Sequence, residues 1–159
     1  MKTEYPCPGN RRNEPAKQLK NLLVPVDIAD DAKLALSYAL TFAHQFDGEI
    51  TLLAVIPNNH ISFEYGVSEA IALREQQREQ SQRNLSKLAG ETLGGIGHKI
   101  IVRMGKPFEE IIRFANETGV DLIIISSHGY PGVTRVDFTS TAENVVRYAT
   151  CPVLVVPFV

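Results

Sequence analysis

Short unbroken apolar runs alternate along this chain with segments whose apolar residues return every three or four positions. The first run is Leu22-Leu23-Val24-Pro25-Val26, and further runs follow at 50–56, 99–102, 120–125 and 153–156. Runs this short suit strands, and strands apolar on both sides must be covered on both faces. Between them, Ala32, Ala35, Leu36, Ala39, Leu40, Ala43 and Phe46 keep a helical period, as do Phe108, Ile111, Ile112 and Ala115. A long polar helix is expected over 68–89 and a last one over 141–149. Strand–helix alternation of this kind requires a parallel sheet, because each helix carries the chain back to start the next strand in the same direction. The expected fold class is therefore α/β: a five-stranded parallel sheet, doubly wound, with helices on both faces.

Local signals set the element ends. Asp30 and Asp31 are placed to open the first helix, where negative charge meets the positive end of the helix dipole, and Gly48 is placed to close it. Pro107 lies early in the third helix, where its missing N–H costs least, and Gly119 follows that helix. Gly94-Gly95-Ile96-Gly97 precedes a strand instead of following one, so it reads as a turn and not as a dinucleotide fingerprint. Ser140 and Glu143 have the spacing of a capping box for the last helix. The stretch from Arg74 to Asn84 contains no apolar residue and is expected to project into solvent or lie over an edge.

Composition removes several functions. The 159 residues carry 16 Lys+Arg against 18 Asp+Glu, a net charge of -2, without the basic excess of a nucleic-acid binder. No apolar run reaches the ~18 residues that span a membrane, and no apolar leader follows Lys2, so a cytoplasmic, membrane-free domain is expected. Residues 1–19 have no apolar period and read as a mobile N-terminal tail, with the domain at 20–159. Cys7 and Cys151 are too far apart to form a knuckle, and the four histidines contain no pair at metal spacing. No Gly-x-Ser-x-Gly elbow and no Walker A lysine occur. A receiver domain would need an aspartate ending the third strand, where Arg103-Met104-Gly105 stand, and a lysine after the fifth.

In a doubly wound sheet, ligands bind beyond the carboxyl ends of the strands where the winding reverses. The loop after the fourth strand, Ser126-Ser127-His128-Gly129 through Thr139-Ser140-Thr141, is the most informative segment there. A helix start beside such a loop offers free N–H groups and positive potential to an anion.

The residues here resemble the universal stress protein family. The resemblance rests on Ile125-Ser126-Ser127-His128-Gly129, the spacing to Thr139-Ser140, then Ala142-Glu143-Asn144-Val145-Val146-Arg147 and Cys151-Pro152-Val153-Leu154-Val155-Val156. Val24-Pro25-Val26-Asp27 and Gly105-Lys106-Pro107-Phe108-Glu109-Glu110-Ile111 fit as well, so the likeness covers 20–157. It implies the strand order 3-2-1-4-5 and a crevice between the loops after strands one and four. The family's nucleotide-binding motif, Gly-x2-Gly-x9-Gly-Ser/Thr, falls on Ser126, Gly129, Thr139 and Ser140. Only the second glycine is kept. The resemblance further implies ATP or another adenine nucleotide as ligand, with Pro25, Val26 and Asp27 on the base and ribose side and Val55 at the adenine. Ser126, His128, Gly129, Thr139, Ser140 and Thr141 would meet the phosphates, with three consecutive hydroxyls able to donate to phosphate oxygens. Asp27 would help hold a phosphate-bound Mg²⁺. No catalytic residue stands out, so at most slow hydrolysis is expected. Val153 to Val156 would form an apolar edge strand that pairs with its own copy in a homodimer. Two functions stay open: a nucleotide-binding stress regulator or sensor, and a dimeric interaction module of the same fold without nucleotide.

Overall fold

The structure is a computed structural model that describes residues 18–26, 32–58, 66–127 and 141–157. The elements run β1 Asn21–Pro25, α1 Ala32–Phe46, β2 Glu49–Ile56, α2 Val67–Thr92, β3 His98–Met104, α3 Pro107–Thr118, β4 Leu122–Ser127, α4 Thr141–Tyr148 and β5 Val153–Pro157. All neighbouring strands pair in parallel, in the order β3-β2-β1-β4-β5. The expected architecture is the observed one.

Each central strand feeds two cores. Leu22, Val24 and Val26 of the first strand region join Ile50, Leu52, Ala54, Leu122 and Ile124 under α1 and α2. Leu23 joins Leu53, Ile123 and Ile125 under α3 and α4, with Ile111, Phe114, Ala115 and Val145 from those helices. Successive strand residues point to opposite faces, so an unbroken apolar run buries itself only when both faces are covered. The helices divide two and two between the faces because the chain winds from β1 out to β3, then returns across the sheet to β4 and β5.

The strand ladder shows why β1 stays tied to both neighbours at its start. Asp121, only 8% exposed, places its Oδ2 3.1 Å from the Lys20 N–H and 3.0 Å from the Asn21 N–H. The Asp121 N–H donates in turn to the Asn21 carbonyl at 2.9 Å. On the other flank, the Glu49 N–H donates to the Lys20 carbonyl at 2.7 Å. Gly48 fits between these strands only because it lacks a side chain, since a Cβ there would lie 2.8 Å from the Leu19 carbonyl oxygen. Its N–H closes α1 on the Ala43 carbonyl at 3.0 Å, yet the left-handed residue is Asp47, at φ 52°. Asp30 and Asp31, read as the start of α1, lie outside the described residues, as do the tail at 1–17 and Ser140 of the capping box.

Other boundaries differ by small amounts. β3 extends beyond 99–102 because pairing with β2 holds it from Ile50↔His98 to Ile56↔Met104. Gly94 (φ 50°) and Gly95 (φ 94°) form the expected turn, closed by the Ile96 N–H on the Leu93 carbonyl. Gly119 (φ 66°) caps α3 with its N–H on the Ala115 carbonyl. α3 buries Phe114 and Glu110 beside Ile111 and Ala115, whereas Ile112 is only half-buried. α2 buries only Ser81, Leu85 and Ala89, all in its C-terminal half. At 1.5 Å per residue, its 26 residues run about 39 Å, against about 26 Å for the eight residues of β2. The polar N-terminal half therefore overhangs the carboxyl ends of the strands.

Two outcomes follow from these contacts. Asp121→Ala leaves two backbone donors at the start of β1 without their acceptor, and should lower stability in urea unfolding by about 2–4 kcal/mol. Ser81 is 3% exposed, and its hydroxyl has no hydrogen-bond partner among the described residues. Ser81→Ala should therefore raise the free energy of unfolding in urea by about 0.5–1 kcal/mol.

Candidate functional site

The winding reverses between β1 and β4, and these two strands are paired over a short span only, at Leu22↔Leu122 and Leu23↔Ile123. β1 and β2 stay paired further, to Pro25↔Leu53. The cause lies in the chemistry of Pro25. In a parallel strand, successive residues turn their N–H and C=O groups to alternate neighbours. The Lys20 carbonyl accepts from β2 and the Asn21 carbonyl from Asp121 beside β4, while the Val26 N–H donates to the Leu53 carbonyl at 2.8 Å. Position 25 therefore faces β4, and proline has no hydrogen to give there. The ladder between β1 and β4 loses its next donor where the strands approach their carboxyl ends.

Carrying the register forward places Pro25 level with Ile125 and Val26 level with Ser126. These residues lie at the carboxyl end of the seam between β1 and β4. Pro25 is buried, and the Val26 side chain is packed into the core under α1. Val26 can therefore offer a ligand its backbone carbonyl, but neither its side chain nor its N–H. Ser126 and Ser127 end β4 half-exposed, paired with Val156 and Pro157 of β5. Thr141, also half-exposed, is the first residue of α4, whose N-terminus lies on this side of the sheet because α4 carries the chain back from β4 to β5.

Val55 sits on β2, half-buried and packed against the core under α3. Its neighbours Ile50 and Ile56 turn their polar groups to the β3 side, bonding the Gly97 carbonyl and the Gly105 N–H. By alternation, Leu53 and Val55 turn theirs toward β1. Leu53 is satisfied by Val26, but among the described residues no backbone bond joins Val26 to Val55. By that alternation the N–H and C=O of Val55 lie side by side, turned to the β1 side of the sheet beyond Pro25. No sequence pattern marks such a pair, since every residue carries it.

Asp27, His128, Gly129, Thr139 and Ser140 lie outside the described residues. Of the sequence-derived site, the fold brings Pro25, Val26, Val55, Ser126 and Thr141 to the carboxyl end of the sheet. Among the described residues, no three His, Cys, Asp or Glu side chains gather where they could hold a metal ion. No helix among them is long and apolar enough to cross a membrane. Lys106, near in sequence to the α3 start, is engaged by Glu109 at 3.1 Å.

Comparison with known proteins agrees with this layout. A universal stress protein of Methanocaldococcus jannaschii is 29% identical over 153 residues, which cover 86% of this chain and 94% of that protein. Its solved structure superposes with a TM-score of 0.77 at 31% identity, over 89% of this chain and 98% of that one. A universal stress protein from Archaeoglobus fulgidus, solved in complex with dAMP, shares the fold at a TM-score of 0.57 and 20% identity, covering 87% of this chain and 98% of that one. Another, solved in complex with cAMP, does so at 0.67 and 16%, covering 88% and 98%. The sequence profile of the Universal stress protein family matches residues 18–157, and the chain belongs to that family.

Proposed function

We propose that this protein binds an adenine nucleotide, ATP in the first instance, in the crevice between the ends of β1 and β4, and acts as a stress-response regulator or sensor. The observation that carries the reading is the backbone pair of Val55, which faces β1 beyond Pro25 and among the described residues is not bonded to Val26. An adenine edge presents an amino donor beside a ring-nitrogen acceptor. A carbonyl and an N–H on one residue match that edge, with the apolar Val55 side chain and Pro25 nearby to exclude water. The ribose would lie toward Asp27, and the phosphates toward Ser126, His128, Gly129 and the run Thr139-Ser140-Thr141. There the first turn of α4 offers its free N–H groups. Residues 21–159 carry a net charge of -5, so attraction for a polyphosphate has to come from such local donors and from a Mg²⁺ that Asp27 would help hold. The complexes of two fold relatives with dAMP and cAMP support an adenine ligand.

The two sheet edges favour a homodimer through β5. β3 exposes His98 and Lys99 and carries Arg103, and such charges oppose pairing with another strand. β5 has no charged residue, and Val155 is 37% exposed on it. Val146 and Tyr148 of α4, which packs on β5, are exposed as well. Pro157 would limit how far the new pairing extends.

Thermal unfolding tests the ligand. ATP with Mg²⁺ at a hundred times its Kd should stabilise the protein by about 2.7 kcal/mol. Inosine triphosphate, whose base reverses the donor and acceptor, should shift the transition much less at the same concentration. If no adenine nucleotide shifts it, the nucleotide reading fails and the interaction module remains. Light scattering at micromolar concentration should give twice the chain mass, and a monomer mass would remove the β5 pairing.

A further inference from the structure

The C-terminal end of β3 and the α3 helix beside it carry a cluster of charges that the fold alone does not call for. Arg103 follows the apolar stretch Ile100-Ile101-Val102 of β3 and is the ladder partner of Val55. Its side chain is only 24% exposed, with the guanidinium carbon 4.9 Å from the centre of the Phe114 ring. Arg103 Nη1 lies 3.5 Å from Glu110 Oε2, and Nη2 lies 2.6 Å from Glu117 Oε2. Glu110 is 8% exposed, and its other oxygen is held by Arg113 Nη1 at 2.5 Å.

From these contacts we infer that Arg103 and Glu110 form a positioning pair that fixes the C-terminal end of β2, and with it the backbone of Val55; this rests on the nucleotide reading above. The link between the pair and β2 is Gly105. The Glu110 side chain lies so close to this glycine that a Cβ on it would meet Glu110 Cγ at 2.8 Å and Oε1 at 3.1 Å. Gly105 adopts φ 150° and donates its N–H to the Ile56 carbonyl at 3.0 Å, one residue beyond Val55. This N–H, on a glycine that lies against Glu110, makes the last bond between β2 and its outer neighbour among the described residues. On its inner side, the pairing of β2 with β1 among the described residues ends with the Val26 N–H on the Leu53 carbonyl. Its outer side is where Arg103 acts, anchoring β3 to α3 through two carboxylates and an aromatic face. A buried carboxylate held by two arginines has one geometry, whereas an apolar pair would allow several.

The test combines nucleotide affinity with amide exchange in the full-length protein. Arg103→Met should weaken ATP binding at least tenfold and speed exchange of the Gly105 N–H at least tenfold. The Ile123 N–H, bonded to the Pro152 carbonyl across the sheet, should keep its rate. Arg103→Lys, which keeps the charge and loses the fork, should recover part of both effects. If Arg103→Met does not fold, Glu110→Gln is read the same way. Affinity within twofold of the unmodified protein, or an unchanged Gly105 rate, overturns the inference. If the unmodified protein binds no adenine nucleotide, the nucleotide reading fails instead, and the Gly105 rate alone decides whether the pair holds the end of β2.

Discussion

The Asp121 carboxylate takes the N–H groups of Lys20 and Asn21, and this joint sets where the two halves of the sheet meet. β1 and β4 belong to opposite windings, so no crossover helix links them in sequence. Their alignment depends on the few bonds between them. With Asp121 engaged, Leu22 and Leu122 face one core while Leu23 and Ile123 face the other. A slip of one residue would send each apolar set to the wrong face. Charge-assisted bonds are well suited to this place because they are directional, while the apolar contacts around them are not.

The same seam is tight at one end and open at the other. Asp121 adds acceptors at the start of β1, and Pro25 withholds a donor near its end. Among the described residues this leaves polar backbone groups at the carboxyl edge without a ladder partner, and a folded protein keeps such groups only when another protein group, water or a ligand meets them.

Much of this was readable from residues. The apolar runs of β1, β2, β4 and β5 and the period of α1 and α3 follow directly from burial on two faces. The family resemblance supplied the strand order, which periodicity alone leaves open. What stayed hidden has a common physical character. Glu110 reads as a surface residue because charge normally means exposure, and only the tertiary approach of Arg103 and Arg113 makes its burial tolerable. Val26 reads as a lining residue, yet its side chain belongs to the core. The polar groups of Val55 are common to all residues and become distinctive only where a neighbouring strand ends.

The contrast between the two rims of the sheet bears on how large an assembly the chain could build. A sheet that is adhesive along both rims is a repeating unit, and stacking such units rim to rim has no natural end. Here His98, Lys99 and Arg103 blunt one rim and leave β5 as the only strand among the described residues with an uncharged free side. Growth by strand addition would consume that side in its first step. If β5 pairs with its own copy as proposed, the charges on β3 would act as a chain terminator and keep a long, continuous cross-strand polymer of the folded protein out of reach.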